Sequence, residues 1–510
     1  MSDQTVHDLL RSDRPLVVIE APAGCGKTFQ GATYAQDIAP KLGKGRMLIL
    51  THTNAACDVF AEKTKGLPRT KVEIKTIDSL IIQVAGVYHE VLGLPRDPTT
   101  WAYANDNGFD KLATKVSKLL TKYPMIPSAL ARRYPVIVCD EHQDASPERH
   151  AIIMKLFEHG AHLRVFGDRM QSIYERTVRG AERQRERWQR LVDAGVYGEL
   201  DQPHRWMADG NGCSELGAWV LRARETLLAG GTVDLTRDLP SSVNIIRAEN
   251  VSPTREGYQV DRSERPPLNR CLDSHTQLFV LANSNGLVRS LRSFWFRRVP
   301  IWEGHTRSAL AQLISDIERD TGDALKLGNA LIEFMSAIGT GFSRSAHGNI
   351  LLAEISCECS RPRTRKPANI QALAKIILGE PNHVGLAKAI RQVDELMRTR
   401  AEGFTDIKID LWREFREAQT MAQFSDLTKA FAEINMRRSV SRPKPPSKSI
   451  STVHKAKGLE CNNVMLVHCD RGSFGDTIYG RCKLYVALSR AKSSLTLVIP
   501  NNDPSPLLAI

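Results

Sequence analysis

The segment APAGCGKT, Ala21–Thr28, brings together the residue types that phosphate chemistry needs. Gly24 and Gly26 let backbone N–H groups fold around an anion, Lys27 can reach β- and γ-phosphate oxygens, and Thr28 offers a hydroxyl to Mg2+. With Ala21, Pro22, Ala23 and Cys25 they make up an expected ATP-binding loop, in which Ala21 replaces the first Gly of the common pattern. Farther along, VIVCD runs into Asp140 and Glu141, then His142, Gln143 and Asp144. Asp140 is suited to holding Mg2+ through water, and Glu141 to orienting and deprotonating an attacking water. Phosphoryl transfer depends more on positioning and charge neutralisation than on covalent chemistry. The competing reading is an acidic start to the helix that follows Pro147. Two acids directly after a buried strand, in a chain that also has the glycine-rich loop, favour catalysis. A third motif, VFGDRMQSIY, puts Gln171 where an amide can sense a γ-phosphate.

These residues must be carried by strand ends. Residues 16–20, 47–51, 72–76, 136–140 and 163–167 are short aliphatic or β-branched runs separated by helix-like stretches, the pattern of a parallel α/β sheet. A second set, 277–282, 450–453, 463–468 and 495–499, repeats the signature and implies a second sheet domain. The expected division is a first domain over 1–79 and 131–198, a second over 199–300 and 445–510, and helical inserts at 80–130 and 301–444. Within the longer insert, LAQLISDIERD and LTKAFAEINMRR read as amphipathic helices. RRSVSRPKPPSKS, 437–449, suits a mobile connector.

Composition narrows the partners. Among 510 residues, 70 Lys and Arg against 57 Asp and Glu give a charge of +13, which favours a polyanion such as nucleic acid, although such an excess can also be a solvated face. The ten cysteines form no CxxC pairs, so a structural metal is not expected and a reducing compartment, the cytoplasm, is. No run reaches the roughly 18 apolar residues of a membrane span, and the polar N-terminus has no signal-like core.

APAGCGKT, THTNAA (51–56), DEHQD, GDRMQSIY, TVHKAKGLE (452–460) and YVALSRAK (485–492), in this order, resemble the superfamily 1 helicases of the UvrD/Rep/PcrA type. The resemblance implies two RecA-like motor domains with ATP between them. It makes Arg205 in QPHRW and Arg490 in ALSRAK candidates for arginines that face the γ-phosphoryl group, each typically worth about 10³–10⁵ in rate. It further suggests Gln4 as an adenine reader, Glu460 as a nucleotide contact, and Thr51, His52, Asn54, Thr76, Arg176, Thr452 and His454 as nucleic-acid contacts. The chain departs from the pattern along the strand-binding track. His52 and Ile77 stand where Phe is usual, and QSIYERTVRGA has Arg176 and Arg179 in place of the usual Trp. Base stacking is thereby reduced, and a larger electrostatic share of binding is expected. In length and truncation the chain also resembles the helicase-like subunit of the Gabija antiphage system.

The expected activity is an ATPase that moves on single-stranded DNA, 3′ to 5′ by family analogy, with RNA kept open. The alternative is an ATP-driven strand or DNA-end sensor that gates a partner nuclease or effector. A small-molecule kinase would leave KAKGLE and YVALSRAK without a role.

Overall fold

The computed structural model describes residues 2–175, 177–207, 212–248, 251–254, 257–260, 265–304, 308–440 and 444–510. One compact unit comprises Met1–Arg96, Phe109–Trp302 and Lys444–Ile510; the other comprises Asp97–Gly108 and Glu303–Pro443.

Among the described residues the first unit holds two large sheets and two two-stranded ones. In the first are β1 (Leu16–Glu20), β2 (Met47–Thr51), β3 (Val72–Thr76), β4 (Val136–Cys139), β5 (His162–Gly167) and β6 (Val196–Glu199). They run in the order β3-β2-β4-β5-β1-β6, with every pairing parallel. β1, β2 and β4 are buried along their whole lengths, which is why they read as unbroken aliphatic runs rather than alternating ones. Three adjacent strands, β4, β5 and β1, are followed directly by Asp140, Asp168 and Ala21 at one carboxyl edge, where α/β sheets bind ligands.

The second sheet consists of β7 (Val243–Ala248), β8 (Leu278–Ala282), β9 (Lys448–Thr452), β10 (Cys461–Val467) and β11 (Ala491–Pro500), in the order β9-β8-β10-β11-β7, again all parallel. Its core joins Leu466 and Leu497 to Tyr485 on the buried helix Ile478–Leu488, and to Trp206 and Trp219 on helices His204–Met207 and Ser214–Leu228. β6 and β7 were not expected. Both lie at sheet edges, and their sequences VYGE and VNIIRA mix polar with apolar residues because only part of each strand is covered.

The second unit is mainly helical. Helices Ser308–Asp320, Ala324–Ile338, Arg365–Gly379 and His383–Arg398 surround a core that includes Leu313, Leu331, Leu373 and Ile390. The amphipathic segments read from the sequence fall in Ser308–Asp320 and Leu427–Val440. The expected 437–449 connector is shorter than its composition suggests: the preceding helix continues to Val440 and β9 begins at Lys448. Residues 80–130 divide between the units, with 97–108 in the second. Among the described residues no helix is long and apolar enough to cross a membrane.

Candidate functional site

The loop after β1 is built from backbone before any side chain acts. Ala21 N–H donates to Gly167 O at 2.7 Å and Cys25 N–H to Pro22 O at 3.1 Å, closing the turn. Gly24 and Gly26 take φ of +78° and +79°, a left-handed conformation costly for other residues. A Cβ on Gly24 would also stand 2.7 Å from Arg205 Cβ and 2.9 Å from Trp206 Cζ3. Lys27 then opens helix Lys27–Ile38. Burial drives the Cys25 thiol up to about 12, so it is a packed neutral group.

Lys27 Nζ is ion-paired with Glu141 and lies 3.6 Å from Asp140 Oδ1. Burial pulls the ammonium down, but Glu141 and Asp140 outweigh it and hold the group above its ordinary range. Burial raises Asp140. It also pushes Glu141 up, and there the charges of Lys27 and Lys457 prevail, so the carboxyl sits below its ordinary range. Glu141 has φ +53°, a region few non-glycine residues adopt. The turn that imposes it aims the carboxylate at Lys27. Gln143 donates to Glu141 through Nε2 and accepts from Asp168 N–H at 3.1 Å. Asp168 in turn accepts from Gln171 Nε2 at 2.9 Å. The three motifs of the first sheet thus form one hydrogen-bonded set.

Asp140 Oδ1 is buried without a hydrogen-bond partner. A buried carboxylate oxygen in that state suits a hydrated cation, and Thr28, one residue past Lys27, adds a hydroxyl. The residues therefore fit Mg2+ held mostly by phosphate and water. Among the described residues no cluster of three or more His, Cys, Asp or Glu forms a cage of its own.

Residues around the second sheet reach the same loop. Ala23 N–H donates to Tyr485 Oη at 2.8 Å and Arg205 N–H to Gly24 O at 3.0 Å. The Arg205 guanidinium pairs with Glu460 at 2.6 Å and donates to Ser489 O at 2.8 Å. Arg490 is buried, donating to Val486 O, Leu459 O and Ser489 Oγ at 2.9, 3.1 and 2.7 Å. Burial, and then the like charge of Arg205, draw it down to about 10. From KAKGLE, Lys457 Nζ donates to both Asp144 oxygens at 2.6 and 2.7 Å and to Gln171 O at 2.6 Å.

The remaining expected contacts are dispersed. Gln4 is exposed on helix Asp3–Leu10 and donates to Asp8 at 2.9 Å. Thr51 Oγ1 donates to Thr53 O at 3.0 Å, while Thr76 and Thr452 cap the helices that follow them. Asn54 opens helix Asn54–Lys63, and His454 Nε2 is 2.8 Å from Tyr479 Oη. Burial pulls His52 down to about 4. Arg176 lies outside the described residues.

Lys457, Asp144 and Gln143 lie inside motifs that the sequence shows, TVHKAKGLE and DEHQD, without a role that spacing assigns, and Glu20 and Arg224 lie outside any motif. Of these two, Glu20 carries a signal, as an acid at the end of the otherwise apolar buried run LVVIE.

Residues 99–185 match the UvrD/REP helicase N-terminal domain, and residues 355–502 match the UvrD-like helicase C-terminal domain. These segments contain DEHQD and GDRMQSIY in the first case, TVHKAKGLE and YVALSRAK in the second. No curated protein matches the chain.

Proposed function

We propose that this chain, an ATP-hydrolysing DNA helicase of the UvrD type built on two RecA-like motor domains, is a motor stimulated by single-stranded DNA that translocates 3′ to 5′. The observation that carries the proposal is the Lys457 linkage. A lysine of the second domain's TVHKAKGLE segment is bonded to Asp144 and to Gln171 O, next to the acids and the amide expected at the nucleotide. Strand binding near Thr452 and His454 therefore has a short polar route to the hydrolytic groups.

In this reading ATP phosphates compete with Glu141 and Asp140 for Lys27. When Lys27 turns to phosphate, Glu141 loses the larger of the two charges that hold its carboxyl down, that of Lys457 staying, while the burial that pushes it up remains. Its basicity rises as substrate arrives, which suits a group that orients and deprotonates water. Asp140 and Thr28 would hold Mg2+, whose chemistry when bound is to neutralise phosphate charge. Arg490 and Arg205 act from the second domain, where fixed guanidinium groups stabilise charge that develops in transfer. Gln171 reports on the γ-phosphate, Glu460 and the Ala21–Thr28 backbone contact the nucleotide, and Gln4 contributes to adenine binding.

Thr51, His52, Asn54, Thr76, Arg176, Thr452 and His454 are assigned to the strand. One observation favours a second reading, an ATP-driven strand or DNA-end sensor that gates a partner nuclease or effector in phage defence. Ile77, which stands where a stacking Phe is usual, is 2 % exposed and packed in the core, so that grip is missing. Either form is expected in the cytoplasm. Steady-state ATP hydrolysis with no nucleic acid, single-stranded DNA, duplex and RNA, at low and moderate salt, separates them. Strong stimulation by single strands supports the motor. Hydrolysis indifferent to all of them favours the sensor, with co-purification used to find its partner.

A further inference from the structure

A heavily charged buried cluster in the first unit lies beside the hydrolytic groups. Arg224, on helix Ser214–Leu228, is fully buried. Its Nη2 donates to Glu20 at 2.7 Å, its Nε to Asp168 at 3.2 Å, and its Nη1 to Glu199 at 3.0 Å and Glu225 at 2.6 Å. Glu20 and Asp168 are also fully buried. Glu20 is the last residue of β1, immediately before Ala21, and is further held by Trp188 Nε1 at 2.9 Å and Arg169 Nε at 3.1 Å. Asp168 follows β5 and bonds both Gln143 and Gln171. The helix that carries Arg224 belongs to the core of the second sheet through Trp219, Val220 and Leu227.

We infer that Arg224 is a positioning residue that couples the two motor domains, joining the ends of β1 and β5 to the second domain so that strand binding alters ATP turnover. Two carboxylates removed from water are tolerated only while paired, and withdrawing their shared cation leaves uncompensated buried charge. A displacement of helix Ser214–Leu228 must therefore carry Glu20 and Asp168 with it or break the cluster. Glu20 moves the start of the phosphate loop, and Asp168 moves Gln143 and Gln171. Arg224 reaches the groups assigned to ATP only through Glu20 and Asp168, so its loss should lower the strand-stimulated rate by more than the basal rate.

This inference rests on the reading of the chain as a strand-stimulated ATPase, and wild-type protein tests that premise separately. The experiment measures kcat and KM for ATP, with and without saturating single-stranded DNA, for wild type, Arg224→Gln and Arg224→Lys. If wild type is stimulated, Arg224→Gln should lower the stimulation ratio roughly tenfold, within the usual range for coupling between sites. Its basal kcat should fall by a smaller factor than its stimulated kcat, and Arg224→Lys should recover part of the ratio. An unchanged ratio in folded Arg224→Gln overturns the inference, as does an equal fall in basal and stimulated rates. If Arg224→Gln does not fold, Glu20→Gln/Arg224→Gln, which removes one stranded carboxylate along with the cation, is judged by the same two criteria.

Discussion

Two stretches of one sheet edge use polar side chains in opposite ways. At the ends of β4, β5 and β1, the partners are far apart in sequence: Lys27 with Glu141, Gln143 with Asp168, Asp144 with Lys457. At the ends of β2 and β3 they are close neighbours, with Thr51 bonded to Thr53, Thr53 capping at Ala56 and Thr76 capping at Ser79. Long-range pairing holds the first region's geometry in place before a ligand binds. In the second region these threonine contacts bind each segment only to its own turn. Substitutions in the first should therefore alter chemistry steeply, and those in the second should alter affinity gently.

The largest effect is expected at Lys27. Lys27→Ala removes the cation shared by Asp140, Glu141 and incoming phosphate, and ATP turnover should fall to background in a steady-state assay. Near-normal turnover would break the comparison at its strongest point. Arg490→Ala should reduce kcat by about 10³-fold or more with a much smaller change in KM, because a finger acts chiefly in the transition state. A thermal melt recorded alongside separates that loss from the cost of removing a buried side chain. Glu141→Gln should lower single-turnover hydrolysis by roughly 10²–10⁴-fold. It should also retain or tighten ATP binding, since Lys27 then has only the more distant Asp140 carboxylate to leave. A variant that hydrolyses ATP normally takes Glu141 off the catalytic assignment.

Between the two regions stand histidines whose effect is on stability. His142 Nε2 lies 3.0 Å from His150 Nδ1. Burial pulls His150 down to about 4 and His142 well below its ordinary 6.5. Both are neutral in the folded protein, whereas unfolded histidines take up protons below about 6.5. In the window from 6.5 down to about 4 the unfolded state binds more protons, so stability should fall as pH falls. The drop in Tm from about pH 7 to about pH 5 should shrink in His150→Gln; an identical drop in both proteins would mean that other groups control the acid transition.

What the sequence revealed follows the same division. The loop at Ala21–Thr28 and the acids after β4 are legible because the chemistry sets residue type and spacing within a few positions. β1, β2 and β4 are legible because full burial forces unbroken aliphatic runs. β6 and β7 are not, since VYGE and VNIIRA mix polar with apolar residues and form no aliphatic run. The Lys457–Asp144 pair spans 313 residues, and no local pattern announces such a partner. Arg224 looks in the sequence like any of several arginines on amphipathic helices. Only the approach of two buried carboxylates distinguishes it.

The smallest expected effect tests the weaker side of the comparison. His52 follows β2 in THTNAA, where the family resemblance leads one to expect Phe, and burial keeps its imidazole neutral near pH 7. A neutral imidazole can stack on a base but offers a smaller face than a phenyl ring. If His52 lies on the strand track, His52→Phe should tighten single-stranded DNA binding by about 1 kcal/mol, the low end of base–aromatic stacking. The slope of log affinity against log salt should stay constant, because no phosphate contact is added. Fluorescence anisotropy across a salt series measures both quantities. A tighter Kd with an unchanged slope would mean that the region gains grip through stacking alone, without any change to the pre-organised nucleotide edge. An unchanged Kd would remove position 52 from the track and shift the weight of strand binding toward the basic side chains.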